Sequence, residues 1–389
     1  MSALKYLMPS NWDERIVAEA DPAFVDSLYA KAGADDFGGG RPSFVLRHVD
    51  RDRMVFHIAA ARRKGLGFIY LLNASCFSGR SLSGEMAVKL NRLMDFLLGA
   101  GVTGVTVADP VLAGSLVKKY PFLKVGLSLF SMVSSVDQAR RYEDLGVSSI
   151  LLSNPNNFSL IGAVRSAVSC RITLLANLGC NIFCNEGLLH SYFDAHSSQS
   201  GHHSSTISFD HHRLICSIKK IADPVSMLKT MYVRPEDAYL YERAGVDLLK
   251  FVDRSFPAEA IINLYRYYMD RSFDGNFLSL VNPSNYVNSQ AQQPKRGIDG
   301  RNAELSSGRL SPVLEKIPPF NIFIDNTALC GMKEEIMKSG VACAYEKCSA
   351  CGICREYFER SAVYSEESRL ATLAALRSVL GGLASSKLV

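Results

Sequence analysis

The chain has 389 residues, 48% hydrophobic and 21% charged, which excludes a disordered segment, a collagen repeat or a long coiled coil and leaves length for a substantial core. Its 43 Lys and Arg against 38 Asp and Glu leave a net charge of +5, an excess that suits an anionic substrate but is too mild to argue for nucleic acid alone. No apolar run reaches the ~18 residues of a membrane span, and the N-terminal stretch lacks the apolar core of a signal peptide, so a cytoplasmic chain is expected; in that compartment ten cysteines point to metal or cluster ligation rather than disulfides.

From residue 4 to about 271, short β-branched runs alternate with amphipathic helical stretches, the pattern of βα units around a parallel sheet. Strands are predicted at Lys5 to Met8, Phe24 to Tyr29, Gly67 to Asn73, Gly104 to Ala108, Lys124 to Phe130, Ser149 to Leu152, Ile172 to Leu178 and Leu248 to Val252. Helices are expected between them, for example at Arg51 to Lys64, Glu85 to Gly99, Val136 to Leu145 and Arg234 to Ala244. Ala100-Gly101-Val102, Leu145-Gly146-Val147 and Ala244-Gly245-Val246 repeat one helix-to-strand turn, with Gly in the left-handed position. Eight such units close most economically into a (β/α)8 barrel. The rival open sheet finds no GxGxxG after a strand to make it a dinucleotide-binding fold.

The expected organisation is a barrel over 1–280, a linker over 281–318 and a cysteine-rich C-terminal module over 319–389 that ends in a helix from Glu366 to Leu383. A Ser- and His-rich run at about 191–213 reads as a long loop on the seventh unit.

Cysteine spacing carries the strongest chemical signal. Cys343, Cys348, Cys351 and Cys354 contain a CxxCxxC run, with Cys330 as a fifth thiol nearby. Two-residue spacers turn successive sulfurs toward one centre. The triple spacing favours a 4Fe-4S cluster over zinc or unliganded thiols. In a barrel, Cys76, Cys180, Cys184 and Cys216 would all fall near the C-terminal ends of strands, where such folds hold their active sites. Cys170 precedes the seventh strand and belongs near the opposite face. Of the histidines at 190, 196, 202, 203, 211 and 212, His190 follows the Cys180/Cys184 pair in a less polar stretch and suits a proton donor or a group supporting a metal ligand; His202 and His203 read as solvated. HExxH and GxSxG are absent from the sequence.

Several ordered segments together resemble the collagenase-like peptidase family U-32. They are Ala34-Asp-Asp-Phe-Gly-Gly-Gly-Arg41-Pro42, Leu71-Leu-Asn73, Val107-Ala-Asp109-Pro110, Asn177-Leu-Gly-Cys180 with Cys184 and His190, Val233-Arg-Pro-Glu-Asp237, and Tyr241-Glu242 through Gly245 to Lys250. The resemblance implies a barrel. It is closest in character to the UbiU/UbiV-type iron-sulfur branch, whose chemistry is oxygen-independent hydroxylation; other members carry a peptidase label. It implies a barrel 4Fe-4S cluster on Cys180, Cys184 and Cys216, for which Cys76, past the third strand, is inferred as the fourth ligand; the second cluster, in the tail, rests on the cysteine spacing there. Ser153-Asn154-Pro155-Asn156-Asn157 stands where many members carry a glutamate after Arg, and Asn185 replaces a common Pro. The expected function is therefore an iron-sulfur-dependent oxidoreductase or hydroxylase, with a peptidase or a non-catalytic iron-sulfur partner protein as alternatives. Arg41, Lys250 and Arg254 are candidate anion-binding residues. Asn73 and Asp109 are candidates to orient a substrate or to cap the following helix. A small-molecule or peptide substrate is expected, with a protein partner or electron donor and RNA as further partners to test.

Overall fold

The computed structural model describes residues 3–33, 35–81, 83–206, 210–281, 317–340, 343 and 348–385. Eight parallel strands close into a barrel. They are β1 (Lys5–Pro9), β2 (Val25–Ala30), β3 (Gly67–Leu72), β4 (Gly104–Val107), β5 (Lys124–Leu127), β6 (Ser149–Leu151), β7 (Arg171–Leu175) and β10 (Leu248–Lys250), with β10 between β1 and β7. Helices α1 (Glu14–Glu19), α2 (Arg51–Arg63), α3 (Gly84–Gly99), α4 (Pro110–Lys119), α5 (Val136–Asp144) and α6 (Phe158–Ala167) surround it, giving the expected (β/α)8 barrel.

Side chains alternate along the strands as the pleat requires. Tyr6, Met8, Leu28, Phe68, Tyr70, Leu72, Val105 and Val107 join the main core, while Leu7, Tyr29, Leu71 and Leu248 form a separate cluster. Asp50, Ser83, Ser135 and Asn157 accept backbone N–H groups at the starts of α2, α3, α5 and α6. The three predicted turn glycines, Gly101, Gly146 and Gly245, have φ of +96°, +87° and +88°, a conformation a Cβ would strain.

Two sequence expectations change. The run Ile172 to Leu178 is two strands: β7 belongs to the barrel, and β8 (Asn177–Asn181) leaves it to pair antiparallel with β9 (Thr230–Tyr232). Asn177 brackets this exit, its Oδ1 accepting Val252 N–H at 2.7 Å and its Nδ2 donating to Val252 O. The Ser/His run is also not one loop. Helix α7 (Gly187–His196) enters it and α8 (His211–Ala222) leaves it. Ser191, Asp194 and Ala195 are buried on one side of α7, and Asp210 caps α8; that helical spacing outweighs the polar composition.

Helices α9 (Ala238–Arg243) and α10 (Ala258–Met269) complete the ring. Most of the predicted linker lies outside the described residues. The C-terminal residues share a core with α8 and the 224–228 turn: Phe320, Ile322, Leu329, Met332, Phe358 and Leu376 pack with Leu214, Ile221, Val225 and Leu228. Arg369 fastens the last helix to α8 by donating to Ile221 O at 2.9 Å. No described helix is long and apolar enough to cross a membrane.

Candidate functional site

The C-terminal ends of the strands surround a cavity of about 380 Å³, the position at which barrels of this class bind ligands. Its walls are largely apolar, including Leu71, Leu151, Leu175, Leu178 and Met231. Among the predicted site residues, Arg41, Asn73, Cys180, Cys184, His190, Lys250 and Arg254 line it.

Arg41 reaches the cavity on a segment that the sequence shapes closely. Asp35 Oδ1 accepts the N–H groups of Phe37 and Gly38 at 2.9 Å, and Asp35 Oδ2 takes Lys31 Nζ at 2.5 Å and the Tyr70 hydroxyl at 2.7 Å. The chain then passes Phe130, where a Cβ on Gly40 would lie 2.6 Å from the ring. Arg41 Nε donates to Asp253 at 2.8 Å, and its NH1 lies 3.8 Å from Asp194. Asn73 Nδ2 donates to Ser128 Oγ at 3.2 Å, leaving its buried Oδ1 without a partner among the described residues.

His190 Nε2 lies 2.9 Å from Asp210 and 4.0 Å from Asp194. Because a carboxylate accepts, Nε2 carries the proton in this contact. Burial alone would raise the Asp210 carboxyl, but the hydrogen bond and charge of His190, with Arg213, bring it down to about 2. Burial raises Asp194 instead, against His190 and Arg41. His190, Asp194 and Asp210 are the one His/Cys/Asp/Glu trio among the described residues whose ligand atoms all lie within 4.8 Å.

Cys180 on β8, Cys184 in the following turn and Cys216 on α8 come together. Burial pushes the Cys180 thiol up to about 11, and Cys216 and Cys184 add to this while Lys220 and Arg41 oppose it. Lys220 is itself buried and donates to Gly179 O. Cys76 is placed differently: its carbonyl accepts Gln199 Nε2 at 2.7 Å, its Sγ accepts Ser78 N–H at 3.3 Å, and it does not line the cavity. Ser78 contacts His196 and His202 instead, and those two rings stack at 4.4 Å. His202 also stacks with His203 at 4.3 Å, and His211 sits against His212 at 4.0 Å. Cys170 lies by Glu143 beneath β7, where burial raises its thiol to about 11. Asp109 does not line the cavity; its Oδ1 accepts Val111 and Leu112 N–H at 2.7 and 3.2 Å as the cap of α4.

A second cysteine group forms in the C-terminal region. Burial, with Cys343 and Cys348, raises Cys354 to about 11, and Cys348 and Cys351 act likewise on Cys343. Cys330 is exposed after the 327–329 turn. Facing the group is the fully buried Lys333, whose Nζ donates to Asn156 Oδ1 at 2.5 Å and sits 3.7 Å from the Tyr232 ring centroid. Asn154 Nδ2 donates to Cys343 O at 3.4 Å, so the Asn-rich segment after β6 is a seat for this group. Asp194, Asp210, Asp253 and Lys333 were not singled out from the sequence. The i,i+4 spacing of His190 and Asp194 was the one local sign available.

A sequence model described as Peptidase family U32 matches residues 27–299. A curated relative, described as an uncharacterized protease of Methanocaldococcus jannaschii, is 27% identical over 242 residues, covering 62% of this chain and 71% of its own. Among solved structures, a U32 peptidase aligns at 20% identity and a TM-score of 0.48, covering 65% of this chain and 93% of its own. An oxaloacetate acetylhydrolase aligns at 11% identity and a TM-score of 0.36, covering 80% and 92%.

Proposed function

The chain belongs to peptidase family U32, and from that premise we propose that it is an iron-sulfur-dependent redox enzyme that hydroxylates, or similarly modifies, an anionic substrate without molecular oxygen. The observation that carries this reading is the grouping of Cys216 with Cys180 and Cys184, the latter two lining a cavity that also presents Arg41, Lys250 and Arg254. Cys180, Cys184 and Cys216 would hold one 4Fe-4S centre, with the fourth ligand open to Cys76 or an exchangeable group. Cys343, Cys348, Cys351 and Cys354 would hold a second.

The donor sets suit such a group. Tetrahedral zinc at about 2.3 Å from each sulfur holds its thiolates about 3.8 Å apart. The described cysteines supply no trio within 4.8 Å, so the site is wider than a single zinc ion requires, and the support for a cluster is the thiol-only donor set itself. Buried cations, Lys220 in the barrel and Lys333 in the tail, face the thiols and would balance cluster charge. When bound, a 4Fe-4S centre supplies one-electron exchange and, at an iron with an exchangeable ligand, a Lewis-acidic position.

The remaining work falls to the chain's own side chains. Asp253 fixes the Arg41 guanidinium, and Arg254 and Asn73, which line the cavity, hold buried polar atoms without a partner among the described residues. His190, held by Asp210, delivers or accepts a proton at the rim. Converting R–H to R–OH removes two electrons from the substrate. With an oxygen-bearing organic acid D–OH as co-substrate, those electrons reduce D–OH to D–H, and the exchange balances without O2.

A peptidase is the second reading, favoured by the description of the relative and by the His190/Asp194/Asp210 trio, a donor set able to hold a hydrolytic metal. Iron, acid-labile sulfide and zinc measured on protein purified without oxygen separate the two. About eight irons per chain is expected for two cubanes; an iron-free protein that cleaves gelatin overturns the redox reading.

A further inference from the structure

Two cations that line the cavity, Lys250 and Arg254, form no ion pair among the described residues, although the Asp253 charge bears on Arg254. Lys250 ends β10, is 7% exposed and lines the cavity, yet it forms no ion pair or side-chain hydrogen bond among the described residues. Its Nζ lies 4.3 Å from the Tyr29 ring centroid. The other buried lysines are all engaged: Lys31 with Asp35, Lys220 with Gly179 O and Lys333 with Asn156. Arg254, also lining the cavity, keeps both Nε and NH2 buried and without a partner among the described residues, while the adjacent Asp253 accepts Arg41.

A buried guanidinium with free donors is costly unless an anion completes it. Its planar fork matches a carboxylate, and it stays charged. Lys250 can shed its charge, and two adjacent buried cations are most cheaply relieved that way. Burial and the charge of Arg254 bring its ammonium down to about 7, which leaves a nucleophilic amine available near neutrality. An amine beside a carboxylate-binding guanidinium, walled by Leu71, Leu175 and Met231, is a receptor for a carbonyl next to a carboxylate.

We propose that Lys250 captures the keto carbon of a 2-oxo acid as an imine while Arg254 holds that acid's carboxylate. The Nζ lone pair adds to C2, the carbonyl oxygen departs as water with one of the two amine protons and one proton from solvent, and loss of the remaining amine proton from the iminium gives the neutral imine and returns a proton to solvent. No oxidant, reductant or metal takes part. The inference therefore does not depend on what the cysteines bind.

The test uses the full chain as purified, with pyruvate as probe and cyanoborohydride to reduce the imine, followed by peptide mass spectrometry. The expected result is a reduced adduct of about 72 Da at Lys250, formed at least about tenfold faster than at any other lysine. Pyruvamide, which lacks the carboxylate, should label Lys250 about tenfold more slowly. Lys250→Arg should abolish the adduct while retaining the wild-type melting transition; the site mapping in the wild-type chain stands even where that variant fails to fold. Absence of an adduct at Lys250, or labelling no faster than at surface lysines, overturns the proposal. Equal rates with pyruvate and pyruvamide overturn the part assigned to Arg254.

Discussion

In the barrel, Cys180, Cys184 and Cys216 come from a strand, the turn after it and a distant helix, so they meet only once β8 has left the barrel and α8 has packed beside it. In the tail, Cys348, Cys351 and Cys354 lie within two helical turns, and Cys343 joins them across a short stretch of chain. Both groups nevertheless face a buried lysine, Lys220 in one and Lys333 in the other. The difference teaches where each group draws its geometry: the tail from local spacing, the barrel from tertiary structure. The barrel group opens on the cavity at the strand ends, through Cys180 and Cys184.

The largest expected effect comes from breaking one group and leaving the other. Cys180→Ser with Cys184→Ser should remove about four of eight irons and all turnover, while the tail cluster keeps its electron paramagnetic resonance signal. Loss of both signals together would mean that the two groups do not bind independently, and the comparison above would fail.

A smaller effect is expected from the lysines behind the thiols. Lys333→Met removes the cation facing Cys343 and Cys354, so iron should leave the tail about tenfold faster under chelator challenge, equivalent to ~1.4 kcal/mol. The barrel signal should decay at the wild-type rate. Equal loss from both groups would point to general destabilisation instead of a local charge effect.

Lys250 sharpens the comparison from the other side, as a buried lysine at the same cavity that pairs with neither thiol nor carboxylate among the described residues; the groups bearing on it are Arg254 and the Tyr29 ring. Burial and the charge of Arg254 bring its folded pKa to about 7, below the ordinary lysine value of 10.5. The folded state therefore binds fewer protons between these values, and stability rises with pH across that window. Relative to Lys250→Met, the wild-type chain should gain about 1.4 kcal/mol per pH unit from pH 7 to 10 and stay level below pH 7. Urea unfolding of both proteins at several pH values measures this. A constant difference would show that Lys250 keeps its charge.

These contrasts also explain what the sequence disclosed. The eight barrel strands were legible because each is a short apolar run closed by a recognisable turn, and the glycines at 101, 146 and 245 marked three of those turns. The run after Ile172 was not divisible in advance, because Ala176 and Asn177 continue a plausible strand and only the distant Val252 reveals why the chain turns out. Strand β9 is three residues long, too short for alternation to show. Arg41, Lys250 and Arg254 were legible from their places near strand ends, but their partners were not: Asp253 and Asp194 act on Arg41 across long separations. Serine and histidine composition concealed α7, whose buried side carries Asp194.

Asp109 gives the smallest effect and marks where position stops implying function. It follows β4 at the same end of the barrel as Asn73 after β3, and chain position alone makes the two equivalent. Asn73 lines the cavity with an unpartnered oxygen, whereas Asp109 gives its Oδ1 to two backbone N–H groups of α4. Asp109→Ala should therefore cost about 1 kcal/mol of stability, as loss of a helix cap does, and leave iron content and Lys250 labelling unchanged. Asn73→Ala should show the reverse pattern, weakening labelling by pyruvate with little change in melting temperature. Measuring both variants by thermal unfolding and by adduct formation separates a strand-end residue that holds the barrel together from one that faces its ligand.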